Sequence, residues 1–531
     1  MASDYARLLK QDFADLTAAA DSWRQVSQAM DGAFDRHRTK VTGPLHASWE
    51  GDDAKAALTF LEDIETRIHV VRSESMTLAK SIDTVRFRME QAQTDLRNAV
   101  RSAEAEGFLV NDSGSVGEAL CEVDVPEADA QQKLARMKHF QEAVDTAVLD
   151  ARQASDDGDK ALSELRGDIL DRTNTHMAAE SAADSRQAMK DLGVQGPQIP
   201  EDPKDAADWW KGLDDASRQE YAAMYPEQIG KANGLPSTVR DDANRLALDQ
   251  ELNFVSGSDQ SIPGIPEHRH NLEVLKAELD KRDGATGNKK LYLLDFDGFE
   301  DGKTVIAMGN PDTADNVGVQ VPGTATTMDS TGGQLARMDK LQRSAGRADP
   351  SANTSMVYWL GYDAPEIPVA EAPNLAVAGT GRADAAAPDL RDFTHGLRAS
   401  HEGPDRAHMT VLGHSYGATV VGDADAGGNG LDADSISVVG SPGMTVGKAS
   451  DLHVDPRHFY SGLADDDPIS NAQGLTLGPD PNTQVFGGTR FITDTHGHSG
   501  YWDENSESLA NQGKIIAGRQ PDESLHTPVK M

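Results

Sequence analysis

The chain has 531 residues, of which 38% are hydrophobic, so it is long enough to build two or three cores. Its 87 acidic residues outnumber 50 basic ones and give a net charge of −37. This charge repels phosphate backbones, so we expect no nucleic-acid partner. The single cysteine, Cys121, excludes an internal disulfide framework and a thiolate metal cluster.

The sequence shows no targeting or membrane segment. No apolar stretch follows Met1, and no run in the chain reaches the roughly 18 apolar residues that span a bilayer. We therefore expect neither a Sec-type signal peptide nor an integral membrane segment. The default expectation is a cytoplasmic protein, with export by another route as the alternative.

Apolar residues recur at helical spacing through the first part of the chain. A long first helix is predicted from the spacing of Leu9, Phe13, Leu16, Ala20, Trp23, Met30 and Phe34. The sequence TGP at 42–44 is predicted to break it, and the same period resumes over 54–96. We expect these two helices to form an antiparallel hairpin, with a further helical segment over 126–172.

The hairpin carries SWEG at 48–51, between its two helices. This sequence resembles the WXG turn of the small helical-hairpin proteins handled by type VII secretion systems, and the resemblance covers about the first hundred residues. It implies export by that route and an interaction role, in which the hairpin binds another helical-hairpin protein or a second copy of this chain. The export tag usual in that system is not visible after Leu96.

The pattern changes after residue 192. Pro197, Pro200 and Pro203 mark 193–204 as a linker between a helical domain over 1–192 and a second domain over 205–531. In the second domain, short apolar runs bounded by Gly and Pro predict strands at 291–296, 304–308, 317–321, 356–360, 409–412 and 436–439. Helical stretches alternate with several of them, so we predict an α/β fold with a mostly parallel sheet.

One segment of this domain indicates chemistry. GHSYG at 413–417 follows a predicted buried strand and precedes a small-residue stretch that can start a helix. In such a strand-to-helix turn, glycines two residues either side of the serine let neighbouring backbone pass without clash. The sequence therefore predicts a nucleophile at Ser415, exposed at the tip of the turn. A serine hydrolase of the α/β-hydrolase type uses this arrangement.

A serine nucleophile needs a histidine base oriented by a carboxylate, and in this fold the chain order is serine, acid, histidine. The best acidic loop follows an apolar run at 459–463, and it offers Asp467 as first choice with Asp465 in reserve. His496 and His498 follow that loop. We favour His498, which lies nearer the helix predicted from residue 503 onward.

The oxyanion of an acyl-transfer reaction needs two main-chain N–H donors. One comes from the residue after the nucleophile, Tyr416. The other comes from an early strand-helix loop, and the predicted strand ending in VPGT at 321–324 places it in Gly323 or Thr324.

Five sequence motifs in the second domain occur in a fixed order. They are VPGT at 321–324, WLGY at 359–362, GHSYG at 413–417, DPI at 467–469 and HSGY at 498–501. Together they resemble an actinobacterial α/β-hydrolase family of unknown function, over a match that runs from about residue 209 to the end. The resemblance implies the α/β-hydrolase fold and a triad of Ser415, Asp467 and His498. It does not indicate a substrate.

The leading hypothesis is an esterase that needs no cofactor and acts on a small ester or lipid-like substrate through an acyl-serine intermediate. Two alternatives come from other classes. Asp494, His496 and His498 would share one face of a strand and could bind a metal ion. Otherwise, the helical hairpin is the functional part, and the chain is a type VII secretion-linked interaction or effector protein.

Overall fold

The computed structural model describes residues 3–49, 51–118, 127–165, 177–366 and 376–524. It divides into two compact units, one formed by Met1–Asp35 with Ile64–Gly196 and the other by Arg36–Asp63 with Pro197–Met531. Cys121 and residue 50 of SWEG lie outside the described residues. Among the described helices, none is both long and apolar enough to cross a membrane.

The described chain is rich in helix at its N-terminal end and alternates strand with helix later. The α-helices are α1 (Asp4–Lys10), α2 (Ala14–His37), α3 (Gly43–Ser48), α4 (Asp52–Ala105), α5 (Glu127–Glu164), α6 (Met177–Asp191), α7 (Pro203–Gly212), α8 (Asp215–Met224), α9 (Pro226–Lys231), α10 (Ser237–Gly257), α11 (Ile265–Asp280), α12 (Thr331–Ala348), α13 (Gly381–Ser400), α14 (Tyr416–Ala426) and α15 (Glu507–Ile516). The strands are β1 (Phe108–Val110), β2 (Val116–Glu118), β3 (Leu291–Asp297), β4 (Lys303–Met308), β5 (Asn316–Val321), β6 (Thr354–Leu360), β7 (His408–His414), β8 (Ser435–Val439), β9 (Phe459–Gly462) and β10 (Thr489–Arg490).

The first unit is built on an antiparallel pair of helices. Arg24 of α2 forms an ion pair with Asp83 of α4, and Asp31 of α2 pairs with Arg72 of α4 at 3.3 Å. Because the residue numbers rise along α2 while those of their partners fall along α4, the two helices run antiparallel as predicted. The chain after α4 forms the antiparallel pair β1–β2, so this largely helical unit also holds a small sheet.

The break predicted at 42–44 is wrong. The chain continues from α2 through a π-helical turn (Arg38–Thr42) into α3, which ends at Ser48. Pro44 lies at the start of α3, directly after this π-helical turn. The bend comes instead at Trp49, which is 41% exposed, and Gly51, which has a φ of 104°.

Helix α6, which the sequence analysis did not predict, packs beside α4 in the first unit. The hydroxyl of Thr77 on α4 donates to the hydroxyl of Ser185 on α6 at 3.1 Å, and both residues are buried. Glu74 of α4 is also buried, and within the described residues its Oε2 has no hydrogen-bond partner. Burial, with the negative charge of Asp184 nearby, raises the pKa of Glu74 to about 7.

The second unit is centred on an eight-stranded sheet in the described part of the chain. Its strand order is β10-β9-β8-β7-β5-β6-β4-β3. β3 and β4 pair antiparallel, as do β4 and β6, and the remaining neighbours are parallel. α12 packs with α15, and α13 packs with α14. The predicted α/β class with a mostly parallel sheet is confirmed.

The parallel strands bring the predicted site residues to the same end of the sheet, where the strands finish. β5 ends at Val321 and β7 at His414, so Gly323 and Ser415 both follow the carboxyl ends of neighbouring strands. β9 ends at Gly462, a few residues before the acidic loop with Asp467. Loops at the carboxyl ends of parallel strands are where α/β folds place their ligand sites.

The opposite end of the strand order, β3, is covered by side chains of α10. The carboxylate of Asp241 accepts from the main-chain N–H of Leu293 at 2.9 Å. The amide of Asn244 donates to the carbonyl of Leu293 at 3.0 Å, and Arg240 donates to the carbonyl of Leu294 at 2.7 Å. Polar side chains of one helix therefore take the place of a further strand along this edge.

A buried ion network extends from this helix. Arg245 pairs with Asp241 at 2.7 Å and with Asp283 at 3.4 Å. Arg38, from the π-helical turn, faces the same two carboxylates at 3.9 Å and 3.6 Å. Two arginines thus balance two buried carboxylates, and one of these arginines comes from the segment 36–63 that the structure groups with the second unit. In the division predicted from sequence, that segment belongs to the domain over 1–192.

Candidate active site

Ser415 occupies the turn between β7 and α14. Its backbone has a φ of 54° and a ψ of −130°, a region that non-glycine residues rarely adopt. A Cβ on Gly413 would lie 2.6 Å from the Cα of Ala418, and one on Gly417 would overlap the carbonyl of Val321. The two glycines of GHSYG are therefore required by close backbone approach. Ser415 itself is only 3% exposed, so the expectation of an exposed serine is wrong.

His498 and Asp467 form a direct pair. Nδ1 of His498 lies 2.9 Å from each carboxylate oxygen of Asp467, whose side chain is fully buried. Burial alone would raise the pKa of Asp467, but hydrogen bonds from His498, Tyr501 and the N–H of Ile469 hold it below its usual value. Asp467 therefore stays ionised and accepts from Nδ1–H, which leaves Nε2 of His498 as the nitrogen that can take a proton.

Tyr501 supports this carboxylate, and it is not among the site residues predicted from sequence. Its hydroxyl donates to Oδ2 of Asp467 at 2.5 Å and accepts from the N–H of Ala464 at 3.2 Å. The side chain is completely buried, so the bond is shielded from water. The signal was present in the sequence, because Tyr501 is the last residue of HSGY at 498–501.

The turn after β8 joins the nucleophile to this pair. The N–H of Ser415 donates to the carbonyl of Val439 at 3.2 Å. The next residue, Gly440, has a φ of 56°, and a Cβ there would lie 2.9 Å from the Asp467 carboxylate and 3.2 Å from Cε1 of His498. The turn at 439–440 therefore lies against both the main chain of Ser415 and the pair of Asp467 and His498.

The reserve candidates lie elsewhere. Asp465 is exposed. The ring of His496 is 90% exposed and faces Asp466, with Nδ1 at 3.2 Å from Oδ2. Asp494 accepts from the N–H of Glu507 at 2.8 Å and so caps the start of α15. Asp494, His496 and His498 each have a different partner, and among the described residues their ligand atoms do not form a group close enough to hold a metal ion.

The two candidate oxyanion elements lie on either side of Ser415. Tyr416 is the first residue of α14, a position whose main-chain N–H has no earlier partner in the helix. Gly323 is buried against the nucleophile, and a Cβ on it would lie 2.5 Å from Cβ and 3.1 Å from Oγ of Ser415. Thr324 follows, partly buried, and the chain turns at Ala325, which has a φ of 56°. Gly323 therefore lies directly against Ser415.

The comparisons with known proteins agree with this architecture. A model of an alpha/beta hydrolase family matches residues 297–477, which include Ser415 and Asp467, while His498 lies beyond the match. The uncharacterized protein Rv2079 of Mycobacterium tuberculosis is 28% identical over 95% of this chain and 85% of its own length. The uncharacterized proteins Rv0963c of Mycobacterium tuberculosis and Mb0988c of Mycobacterium bovis are each 31% identical over 36% of this chain and 72% of their own length. The chain belongs to this alpha/beta hydrolase family, with mycobacterial relatives, and carries a hydrolase domain.

Proposed function

We propose that the chain is a serine hydrolase that cleaves an ester through an acyl-serine intermediate, with Ser415, His498 and Asp467 as its triad. The observation that carries the proposal is the pair of 2.9 Å contacts between His498 Nδ1 and the buried carboxylate of Asp467, beside a serine with a strained backbone. A fixed Nδ1–H bond leaves Nε2 free to act as a base, which is what a serine hydroxyl needs to become a nucleophile.

The reaction follows from this arrangement. Nε2 of His498 takes the proton of Ser415 as Oγ attacks the ester carbonyl carbon, and the carbonyl oxygen becomes an oxyanion. The N–H groups of Tyr416 and of Gly323 or Thr324 stabilise that oxyanion. The intermediate collapses with cleavage of the carbon–oxygen ester bond, and the imidazolium returns its proton to the leaving alcohol. Water, activated by the same histidine, then attacks the acyl-serine and releases the acid and free Ser415.

Covalent labelling with a fluorophosphonate tests the nucleophile. We expect the wild-type protein to be labelled at Ser415, as located by peptide mass spectrometry, and Ser415→Ala to show no labelling with an unchanged circular dichroism spectrum. Ser499→Ala is the matched control, because Ser499 is an exposed neighbour of His498. Labelling of Ser415→Ala at another serine would transfer the role to that residue.

The choice between the two histidines can be tested with a p-nitrophenyl ester. Removal of a triad base costs about 10³- to 10⁶-fold in turnover, whereas removal of an exposed loop histidine costs far less. We therefore expect His498→Ala to fall to near background and His496→Ala to keep most of its rate. The reverse ranking would assign the base to His496. An acyl-chain-length series with the wild-type protein then distinguishes small esters from lipid-like ones.

The domain boundary is part of the same proposal. Residues 205–531 should fold alone and keep esterase activity. This fragment lacks Arg38, which faces Asp241 and Asp283 in the intact chain, so we expect it to melt at a lower temperature than the full-length protein. An insoluble or inactive fragment, beside an active full-length chain, would show that the boundary is wrong.

A partner for the first unit is a second proposal, supported by exposed apolar side chains. Phe87, Leu134 and Leu149 are 64%, 54% and 57% exposed. In this proposal, these side chains contact another helical hairpin or a second copy of this chain. Light scattering of the full-length protein should give the mass of a dimer, and substitution of Phe87 by Ser should shift it towards the monomer. A monomeric mass across micromolar concentrations would rule out the homodimer.

A further inference from the structure

His414, the residue before the nucleophile, is buried against the loop that carries the base. Its Nε2 lies 2.8 Å from the main-chain carbonyl oxygen of His498. The centroids of the two imidazole rings are 4.8 Å apart, with an interplanar angle of 36°. His414 is 8% exposed, and it belongs to β7, whose main-chain bonds to two neighbouring strands hold it in place. A strand in the middle of the sheet therefore contacts the base directly.

The other side of the His414 ring meets Trp502. The ring centroids are 4.9 Å apart at an angle of 81°, an edge-to-face arrangement. Trp502 is in turn held by α12, because the guanidinium carbon of Arg337 lies 3.5 Å from its ring centroid and Lys340 donates to its carbonyl at 3.1 Å. The segment 498–502 is thus fixed at one end by β7 and at the other by α12.

The chemistry of the acceptor determines the protonation of His414. A carbonyl oxygen only accepts, so Nε2 of His414 must carry a hydrogen and donate it. Burial, with smaller contributions from the positive charges of Arg337 and His498, lowers the pKa of His414 to about 3. The ring is therefore neutral at any pH at which an esterase with a histidine base works. It adds no positive charge beside the imidazolium that forms on His498 during catalysis.

We propose that His414 is a positioning residue, which fixes the main chain of His498 through its Nε2–H donor so that the base stays in line with Ser415. The inference rests on the proposed serine hydrolase function. Asp467 fixes the ring of His498 at Nδ1, but a ring held at one point can still move with its backbone. The bond to the carbonyl supplies the second point. The N–H of the preceding residue, Gly497, donates to the exposed carboxylate of Asp466 at 2.8 Å, whereas the bond from His414 ties the main chain of His498 to the buried strand β7.

Two substitutions separate the donor from the ring. His414→Gln keeps an N–H donor at about the same distance from the main chain as Nε2 of histidine. His414→Phe keeps an aromatic ring and removes the donor. A displacement of about 1 Å at a reacting group costs on the order of 10²-fold. We therefore expect kcat for a p-nitrophenyl ester to fall about 10- to 100-fold in His414→Phe with KM unchanged, and to stay within about threefold of wild type in His414→Gln. Equal losses in the two variants, or none in His414→Phe, would overturn the proposal.

A measurement on the wild-type protein keeps the proposal testable if a variant fails to fold. In a protein labelled with ¹⁵N-histidine, we expect the Nε2–H of His414 to give a resonance that exchanges slowly with water and does not titrate between pH 5 and pH 9. Its absence from His414→Gln assigns it. Titration of His414 in this range, or rapid exchange of its N–H, would overturn the role. Failure of fluorophosphonate to label Ser415 in the wild-type protein would instead contradict the hydrolase proposal, so the two failures are distinguishable.

Discussion

Gly323→Ala is the sharpest structural test of the oxyanion loop. The Cβ of an alanine at this position would lie 2.5 Å from Cβ of Ser415, 2.9 Å from the carbonyl oxygen of His414 and 3.1 Å from Oγ of Ser415. Carbon atoms in ordinary contact are about 3.5 to 4.0 Å apart, so the overlap with Ser415 is about 1 Å. The two nearest of these atoms are a Cβ and a main-chain oxygen, and not the far end of a flexible side chain. The loop or the nucleophile must therefore move by about that distance.

A shift of about 1 Å at the reacting atoms corresponds to about a 10²-fold loss of rate, and overpacking of this kind costs about 1–3 kcal/mol of stability. We therefore expect kcat/KM for a p-nitrophenyl ester to fall about 100-fold in Gly323→Ala, with a modest decrease in melting temperature. Gly333→Ala is the control, because Gly333 is an exposed helical glycine of α12 with open space around its Cβ position. It should keep full activity. A Gly323→Ala protein with turnover within about threefold of wild type would refute the proposed contact between Gly323 and the nucleophile.

Three further predictions concern residues around the site and in the rest of the chain. Tyr501→Phe removes the hydroxyl that donates to Asp467, so a buried acceptor loses its partner. We expect kcat to fall about tenfold and the melting temperature to drop. Wild-type values for both would contradict this role. Glu74→Gln should stabilise the protein above pH 7 by about 1–3 kcal/mol and change little below pH 4.5. Folding raises the pKa of Glu74 and so favours its protonated form, which means that the stability associated with this residue is complete at low pH and is lost as pH rises to about 7. Chemical unfolding of both proteins at pH 4.5 and pH 8 measures the difference in stability. An equal effect of the substitution at the two pH values would contradict the prediction. Arg38→Gln should destabilise the protein by about 3 kcal/mol, because it removes one partner of the ion network. Arg36→Gln, at an exposed neighbouring residue, should not. Equal melting temperatures for these two variants would show that the ion network contributes little.

The central strands could be predicted from sequence to within two residues. Strands in the middle of a parallel sheet are buried on both faces, so they are read as continuous apolar runs, and 409–412 and 436–439 fall inside β7 and β8. β10 was not predicted, because its two partly buried residues, Thr489 and Arg490, pair only with the end of β9 and carry no apolar run. Helix α6 was missed as well, since its buried face consists mostly of Ala and Ser rather than large apolar residues.

The hairpin break shows where local signals mislead. Gly followed by Pro usually ends a helix, but Gly43 is required here for a different reason. A Cβ on Gly43 would lie 2.8 Å from the main-chain atoms of Asp283 and Gly284, which are more than 200 residues away in the sequence. No local pattern can predict a contact of that range.

The candidate site was predictable in its residue types and order, but not in its geometry. The sequence offers three successive aspartates at 465–467, and the direction of each depends on how the turn closes after β9. In the structure, Asp467 begins a short 3-10 helix (Pro468–Asn471), and its carboxylate accepts from the N–H of Ile469 at 2.9 Å. The role of His414 could not be predicted either, because it depends on where the loop carrying His498 returns.

The covered edge of β3 also limits how the hydrolase domain can associate. An open sheet edge is a template on which an extended peptide, or the same strand of another copy, can pair. Here the outward main-chain groups of Leu293 and Leu294 are already bonded to Arg240, Asp241 and Asn244. A sheet that continues across two copies of the chain through β3 would first have to displace α10 from this edge.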